Sequence, residues 1–141
     1  MPQFDLETAR KVFRAAPFVA DVGIEPTALG QGECETQLQL QPRHLQHGGQ
    51  VHAGVITTMA DHSAGAAAFT LVDGGGAVVT ADLRVSLLRA AKGDKLLCRA
   101  WVIKPGRQIM FTEAEVHCVA GGQSQLVARF SATMAVVRGD E

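Results

Sequence analysis

The 141-residue sequence predicts an α+β fold, a curved antiparallel β-sheet of five to six strands wrapped around one long buried helix at about 53–72, with a short N-terminal helix ahead of it. Three observations carry this reading. Residues 53–72, AGVITTMADHSAGAAAFTLV, contain no proline and are apolar nearly all round, the composition of a helix buried on every side. Segments on both sides of that helix alternate apolar and polar residues with period two, the mark of half-buried strands. Short glycine-containing turns join the last three of those segments, as in an antiparallel meander.

Taken in order, residues 5–16 (DLETARKVFRAA) form a short amphipathic helix with Leu6, Ala9, Val12 and Phe13 on one face and Pro17 as its stop. A short strand at 22–29 leads into the turn Gly30-Gln31-Gly32. The next segment, ECETQLQLQ, places Cys34, Thr36, Leu38 and Leu40 on one face, and Pro42 closes it. A loop at 43–52, RHLQHGGQVH, precedes the long helix, and Asp73-Gly74-Gly75-Gly76 ends it with residues able to take positive φ. The remaining chain is strand-like. AVVTADLRVSLLRA sets Ala81, Leu83 and Val85 on one face, and KLLCRAWVI and RQIMFTEAEVHCV follow. SQLVARFSATMAVV then aligns Leu126, Ala128, Phe130, Ala132, Met134 and Val136.

Composition excludes several classes of function. Thirteen Lys and Arg against 14 Asp and Glu leave a net charge of −1, so no basic field is present to hold nucleic acid. Asp61 and His62 interrupt the most apolar stretch, so no run reaches the ~18 uncharged residues of a membrane span. The opening residues, MPQFDLETARKVF, carry acids early and lack the apolar core of a signal peptide. Cys34, Cys98 and Cys118 match neither a disulfide framework nor a CxxC motif, and a reduced, cytoplasmic protein is expected.

Asp61 is the chemical anomaly. An ionised carboxylate in the middle of an Ala/Val/Ile/Met helix is costly to bury unless it is paired or faces a cavity. Positions 54, 57, 58, 65 and 68 share its face, and they hold Gly, Thr, Thr, Gly and Ala. Either these small residues admit the sheet and Asp61 makes a structural hydrogen bond, or the face leaves room for a ligand. The second feature is the helix start, HGGQVHAG, where unpaired N–H groups and the macrodipole can hold an anion or polarise a carbonyl oxygen. No GxxxxGK[ST] or GxGxxG motif accompanies those glycines, which argues against a nucleotide site. Ala53 and Asp61 are eight residues apart, about 12 Å along a helix. If both act on one substrate, the carboxylate must come from a second copy of the chain. Five histidines invite a metal, yet no HExxH or His/Cys pairing occurs and none is expected. A Ser-His-Asp triad lacks its GxSxG elbow, and Ser63 beside Asp61 and His62 points in a different direction from both.

The segment GQVHAGVITTMADHSAG, after Gln46, resembles the signature of hotdog-fold acyl-CoA thioesterases. The similarity is greatest to the phenylacetic-acid-degradation and 4-hydroxybenzoyl-CoA thioesterase group, which shows G-x-x-H-G-G and then an acid nine residues after the histidine. Gly49, His52, Gly54 and Asp61 match in register, whereas nine residues after His47 stands Ile56. The similarity extends to the early helix, to VTADLRVSLLRAAKGD and to the final strands. It implies a single hotdog thioesterase domain over 1–141 that hydrolyses an acyl- or aryl-CoA thioester to free acid and coenzyme A. The implied assembly is a homodimer or a dimer of dimers, with no cofactor, since coenzyme A is part of the substrate. Asp61 is implied as nucleophile or general base and the Ala53 N–H as the donor to the thioester oxygen. Gln46 would add a side-chain contact. His52, with Gly49 and Gly54, would order the loop and helix start. His62 would shape the acyl pocket, and Arg89 and Arg107, near turns, are the first candidates for coenzyme A phosphates. Two positions depart from the pattern: Ala53 replaces the first glycine of the HGG motif, and His62 stands where a smaller residue is usual. A hotdog dehydratase or hydratase and a non-catalytic acyl-CoA-binding module are the alternatives. The nine-residue His–acid register disfavours the former, and the cost of a buried acid disfavours the latter.

Overall fold

The computed structural model describes residues 4–139. Along the chain these form α1 (Leu6–Ala15), α2 (Pro17–Val22), β1 (Glu25–Gly30), β2 (Glu33–Gln39), a 3-10 turn at Pro42–His44, α3 (Ala53–Phe69), β3 (Ala77–Leu87), β4 (Lys95–Lys104), β5 (Ile109–Ala120) and β6 (Gln123–Val137). All six strands lie in one antiparallel sheet, in the order β1-β2-β4-β5-β6-β3, and α3 packs across it. The α+β architecture expected from the sequence is the one observed.

The helix expected at 5–16 is observed as α1, and a second short helix, α2, follows it where none is expected from the sequence. Asp5 caps α1 by accepting from the Thr8 N–H at 2.8 Å. Pro17 then ends α1 and also opens α2, because a proline at the first helical position gives up no hydrogen bond and already has a helical φ. Gly23, at φ 99°, stops α2, so β1 begins at Glu25 rather than at 22. Ala9 and Phe13 of α1 are buried as expected, but Val12 on the same face is 48% exposed.

The long helix is shorter than the expected 53–72. After Phe69 the chain tightens into i→i+3 bonds, with Leu71 N–H to the Ala68 carbonyl and Val72 N–H to the Phe69 carbonyl. The Thr70 hydroxyl oxygen accepts from the Gly32 N–H at 2.7 Å, fastening this end to the β1–β2 turn. Met59, Ala60, Ala64, Ala67 and Ala68 are fully buried, and the alanines bring the helix axis close to the sheet. Ala68, expected on the open face with Asp61, lies in the core instead. Ser63 is buried too, bonded to the Met59 carbonyl and to Thr36 of β2 at 2.8 Å, and takes no part in a catalytic triad.

Cys34, Thr36 and Leu38 point from β2 into the core, as their alternation predicts. Two bulges alter the expected faces elsewhere. Between Val116 and His117 the β5–β6 register shifts, so Val127 is buried beside Ala128, while Leu126 pairs with His117 on the outer side. Between Thr80 and Asp82 the β3–β6 register shifts, so Thr80 pairs with Met134, Leu83 with Ala132 and Val85 with Phe130. Ala81 therefore leaves the face it was expected to share. The three cysteines are free and buried, and desolvation pushes the Cys34 and Cys98 thiols up to about 12.

Candidate active site

Two concavities sit at different positions along α3. The first is a cleft of about 640 Å³ at the helix N-terminus, walled by the 46–53 loop on one side and by Leu87–Ala91 on the other. Its loop is held by a dense set of backbone bonds. Val51 N–H reaches the Ala91 carbonyl and His52 N–H the His44 carbonyl, both at 2.9 Å. His44 is itself buried and fixed, with Nδ1 accepting from the Gln41 N–H and Nε2 donating to the Val22 carbonyl. Gln46 to Gly49 closes as a turn, and Gly49 takes φ +85°, a conformation that favours glycine.

At the start of α3 the unpaired donors are used unevenly. His52 is the N-cap and its Nδ1 accepts from the Gly54 N–H at 2.8 Å. A Cβ on residue 54 would lie 3.0 Å from that nitrogen, so glycine is what lets the imidazole fold over the helix end. The Val55 and Ile56 N–H groups both turn to the His52 carbonyl. The Ala53 N–H remains, and among the described residues nothing accepts from it. It faces an exposed helix end, backed by the macrodipole of 17 residues. Gln46 lines the same cleft. Its side-chain oxygen accepts from the Gly48 N–H, which leaves the amide NH₂ as a free donor among the described residues. Arg89 closes the far wall and donates to the Leu126 carbonyl at 3.1 Å.

The second concavity, of about 320 Å³, lies between α1, α3 and the first half of β3. Asp61 stands on its wall, half-buried, and Oδ1 accepts from the Thr80 hydroxyl at 2.7 Å. Oδ2 has no partner among the described residues, so one oxygen is anchored and the other is open to reaction. His62 shares this cavity and meets Phe13 edge-on, with ring centroids 4.3 Å apart. Burial pushes the His62 pKa below the ordinary histidine range, against the opposing pull of the Asp61 charge.

The structure thus brings Gln46, His52, Ala53 and Arg89 together, with Gly49 and Gly54 shaping their backbone, and places Asp61 and His62 in the other cavity. Arg107 lies in the β4–β5 turn, at the opposite end of β6 from Arg89, and joins neither cavity within one chain. Thr80 and Phe13 were not singled out from the sequence. Neither carries a local signal, because each becomes relevant only when β3 and α1 pack beside Asp61. Among the described residues no three His, Cys, Asp or Glu side chains converge to hold a metal ion.

Comparison with known proteins agrees with this fold. Residues 48–125, from the loop through most of the sheet, match the family model of the thioesterase superfamily. A Mycobacterium tuberculosis protein provisionally named an esterase is 30% identical over 118 residues, 78% of this chain and 84% of that protein. Among solved structures, a thioesterase family protein from Silicibacter pomeroyi superposes with a TM-score of 0.90 at 30% identity, covering 94% of this chain and 98% of that one. A thioesterase from Haemophilus influenzae gives a TM-score of 0.89 at 25% identity, covering 99% and 95%.

Proposed function

The chain belongs to the thioesterase superfamily, and from that premise we propose that it hydrolyses acyl-CoA thioesters in a site shared between two copies of the hotdog fold. The single observation that carries the reading is the division of labour along α3. The Ala53 N–H, the one first-turn donor left over, and Asp61 stand eight residues apart, about 12 Å along the axis. A thioester carbon lies roughly 3 Å from both its oxyanion donor and its attacking group, so one helix cannot supply both. A second copy, related by a two-fold axis, places its Asp61 opposite the first copy's Ala53 and makes two equal sites.

The sheet supports such a pairing. β3 is an eleven-residue edge strand. Val79, Leu83 and Leu87 on it are 53%, 43% and 52% exposed. Long apolar edges are a liability in a monomer, and a second sheet covers them. In this arrangement the Ala53 N–H and the Gln46 amide polarise the thioester oxygen. Asp61 either takes a proton from a water that attacks the carbonyl carbon, or attacks that carbon itself to give a mixed anhydride that water then hydrolyses, with Thr80 holding its other oxygen. The C–S bond breaks, and coenzyme A leaves as the thiol with the free acid as second product. Arg89, on the cleft wall, is placed for a phosphate of the coenzyme.

Two substitutions test the reading in folded protein. Asp61→Asn removes the carboxylate. Ala53→Pro removes the N–H at the first helical position, where proline is well tolerated, and His52 before it already has an extended ψ of 138°. Each homodimer is expected to lose at least about a hundredfold in kcat on an acyl-CoA panel. Mixed after unfolding and refolding, the two inactive variants should regain activity, because a mixed dimer holds one intact site. Unimpaired turnover by Asp61→Asn overturns the catalytic assignment, and failure of the mixture to recover overturns the shared site. Release of labelled oxygen from H₂¹⁸O into the enzyme after a single turnover separates direct attack from base catalysis.

A further inference from the structure

Resting on that reading, in which the cavity beside Asp61 receives the acyl group, we propose that Gly65 sets the depth of this chamber and so fixes the acyl length it takes at up to about twelve carbons. The chamber holds about 320 Å³, and apolar cavities of about 150 Å³ accommodate one benzene, so roughly two such six-carbon units fill it. Asp61 and Thr80 are the polar groups at its mouth. The rest of the wall is apolar or aromatic, with Val12 and Phe13 from α1, Phe69 from α3 and Val78 from β3. Phe13 and His62 meet edge-on in its wall, and burial holds the His62 imidazole toward its neutral form. The half-exposure of Val12 also finds its place here, as an apolar side chain left uncovered on the rim. The polar head of the substrate goes elsewhere, to a cleft lined by Gln, His and Arg.

Gly65 carries the argument about depth. It lies four residues after Asp61, one turn along the same face of α3. Glycine in a helix interior is a poor helix former and needs a reason. Neither usual reason applies. Its φ is not positive, and a Cβ built on it meets nothing within 4 Å among the described residues. No backbone conformation and no close contact demands glycine at 65. What glycine does there is leave volume open next to the carboxylate, in the wall of the chamber. A side chain at this position grows into space that the acyl group is to occupy.

The test is a chain-length profile of kcat/KM from butanoyl- to hexadecanoyl-CoA, with phenylacetyl- and benzoyl-CoA as the aryl arm, for the wild type, Gly65→Ala, Gly65→Leu and Val12→Ala. In the wild type each added methylene should raise kcat/KM about fourfold until the chamber is full, at about ten to twelve carbons, after which it falls. Gly65→Leu should lower the ratio of decanoyl-CoA to butanoyl-CoA kcat/KM at least about thirtyfold. Gly65→Ala, the more conservative helix-favouring change, should shorten the optimum by about one carbon, and Val12→Ala should lengthen it. Unchanged melting temperatures separate these effects from unfolding. Identical profiles for the wild type and both Gly65 variants overturn the chamber, and if Asp61→Asn still loses every chain length, the thioesterase reading stands without it. If the wild type hydrolyses no acyl-CoA, that reading fails instead. The chamber is then decided by titration calorimetry with decanol, whose binding should weaken at least about tenfold in Gly65→Leu, equal binding overturning it.

Discussion

At the scale of single residues, the site depends on groups with one free valence. Asp61 has one oxygen tied to Thr80 and one open, and Thr80→Val removes only the tie while keeping the side-chain shape. A hydrogen bond to a charged group contributes about 1.5–3 kcal/mol, so kcat should fall at least about tenfold with KM within about twofold and the melting temperature little changed. Steady-state kinetics at saturating substrate check this. His62 gives a second prediction. Burial lowers its pKa from 6.5, so the unfolded chain binds the His62 proton at a higher pH than the folded one. The stability that this group contributes is present above 6.5 and is lost as pH falls through the depressed folded value. The melting temperature should therefore drop on acidification in that window, and His62→Phe should drop less, measured as the difference between the two curves. Asp61 was legible in the sequence because a charge in an apolar helix stands out from its neighbours. Thr80 was not, since nothing in its own strand marks it and the 18 residues between the two include the end of a helix and a turn.

At the scale of elements, α3 and β2 were legible because their periodicity is local and strong. The second N-terminal helix, α2, was not legible because a proline that stops one helix and a proline that starts the next look alike until the backbone bends around them. The β4-β5-β6 meander expected for the last three strands is observed, whereas the pairing of β3 with β6 was not assigned from the sequence, since it depends on where α3 delivers the chain after crossing the sheet. That crossing is what leaves β3 at the edge. Leu83, 43% exposed and paired with the inward-facing Ala132, is the residue through which this edge is best tested. Leu83→Lys places a charge where a second sheet is expected to pack, and edge lysines block strand pairing. Sedimentation velocity should show a shift from dimer to monomer, with far-ultraviolet circular dichroism retained and thioester hydrolysis lost. A dimer of unchanged size and activity would sink the β3-edge arrangement.

At the scale of the whole molecule, a single helix carries both halves of the proposed site, and the sheet is matched to that helix. The sheet needs only to be broad enough to cover 17 residues of α3, and six strands do so. The helix end supplies polarity and its middle supplies a carboxylate, with an apolar chamber beside it and a polar cleft beyond. The resemblance in GQVHAGVITTMADHSAG pointed to the first two features. The chamber was out of its reach, because its walls come from α1, α3 and β3 together and no single segment records their meeting.

The buried cysteines have a consequence for the chemistry of the product. Thioester hydrolysis sets free a thiol at every turnover, and oxidised thiols exchange with any accessible thiolate. With Cys34 and Cys98 pushed up to about 12 and all three sulfur atoms enclosed in the core, the protein presents no nucleophile for that exchange. Burial thus keeps the protein's own sulfur atoms apart from the thiols that thioester hydrolysis sets free.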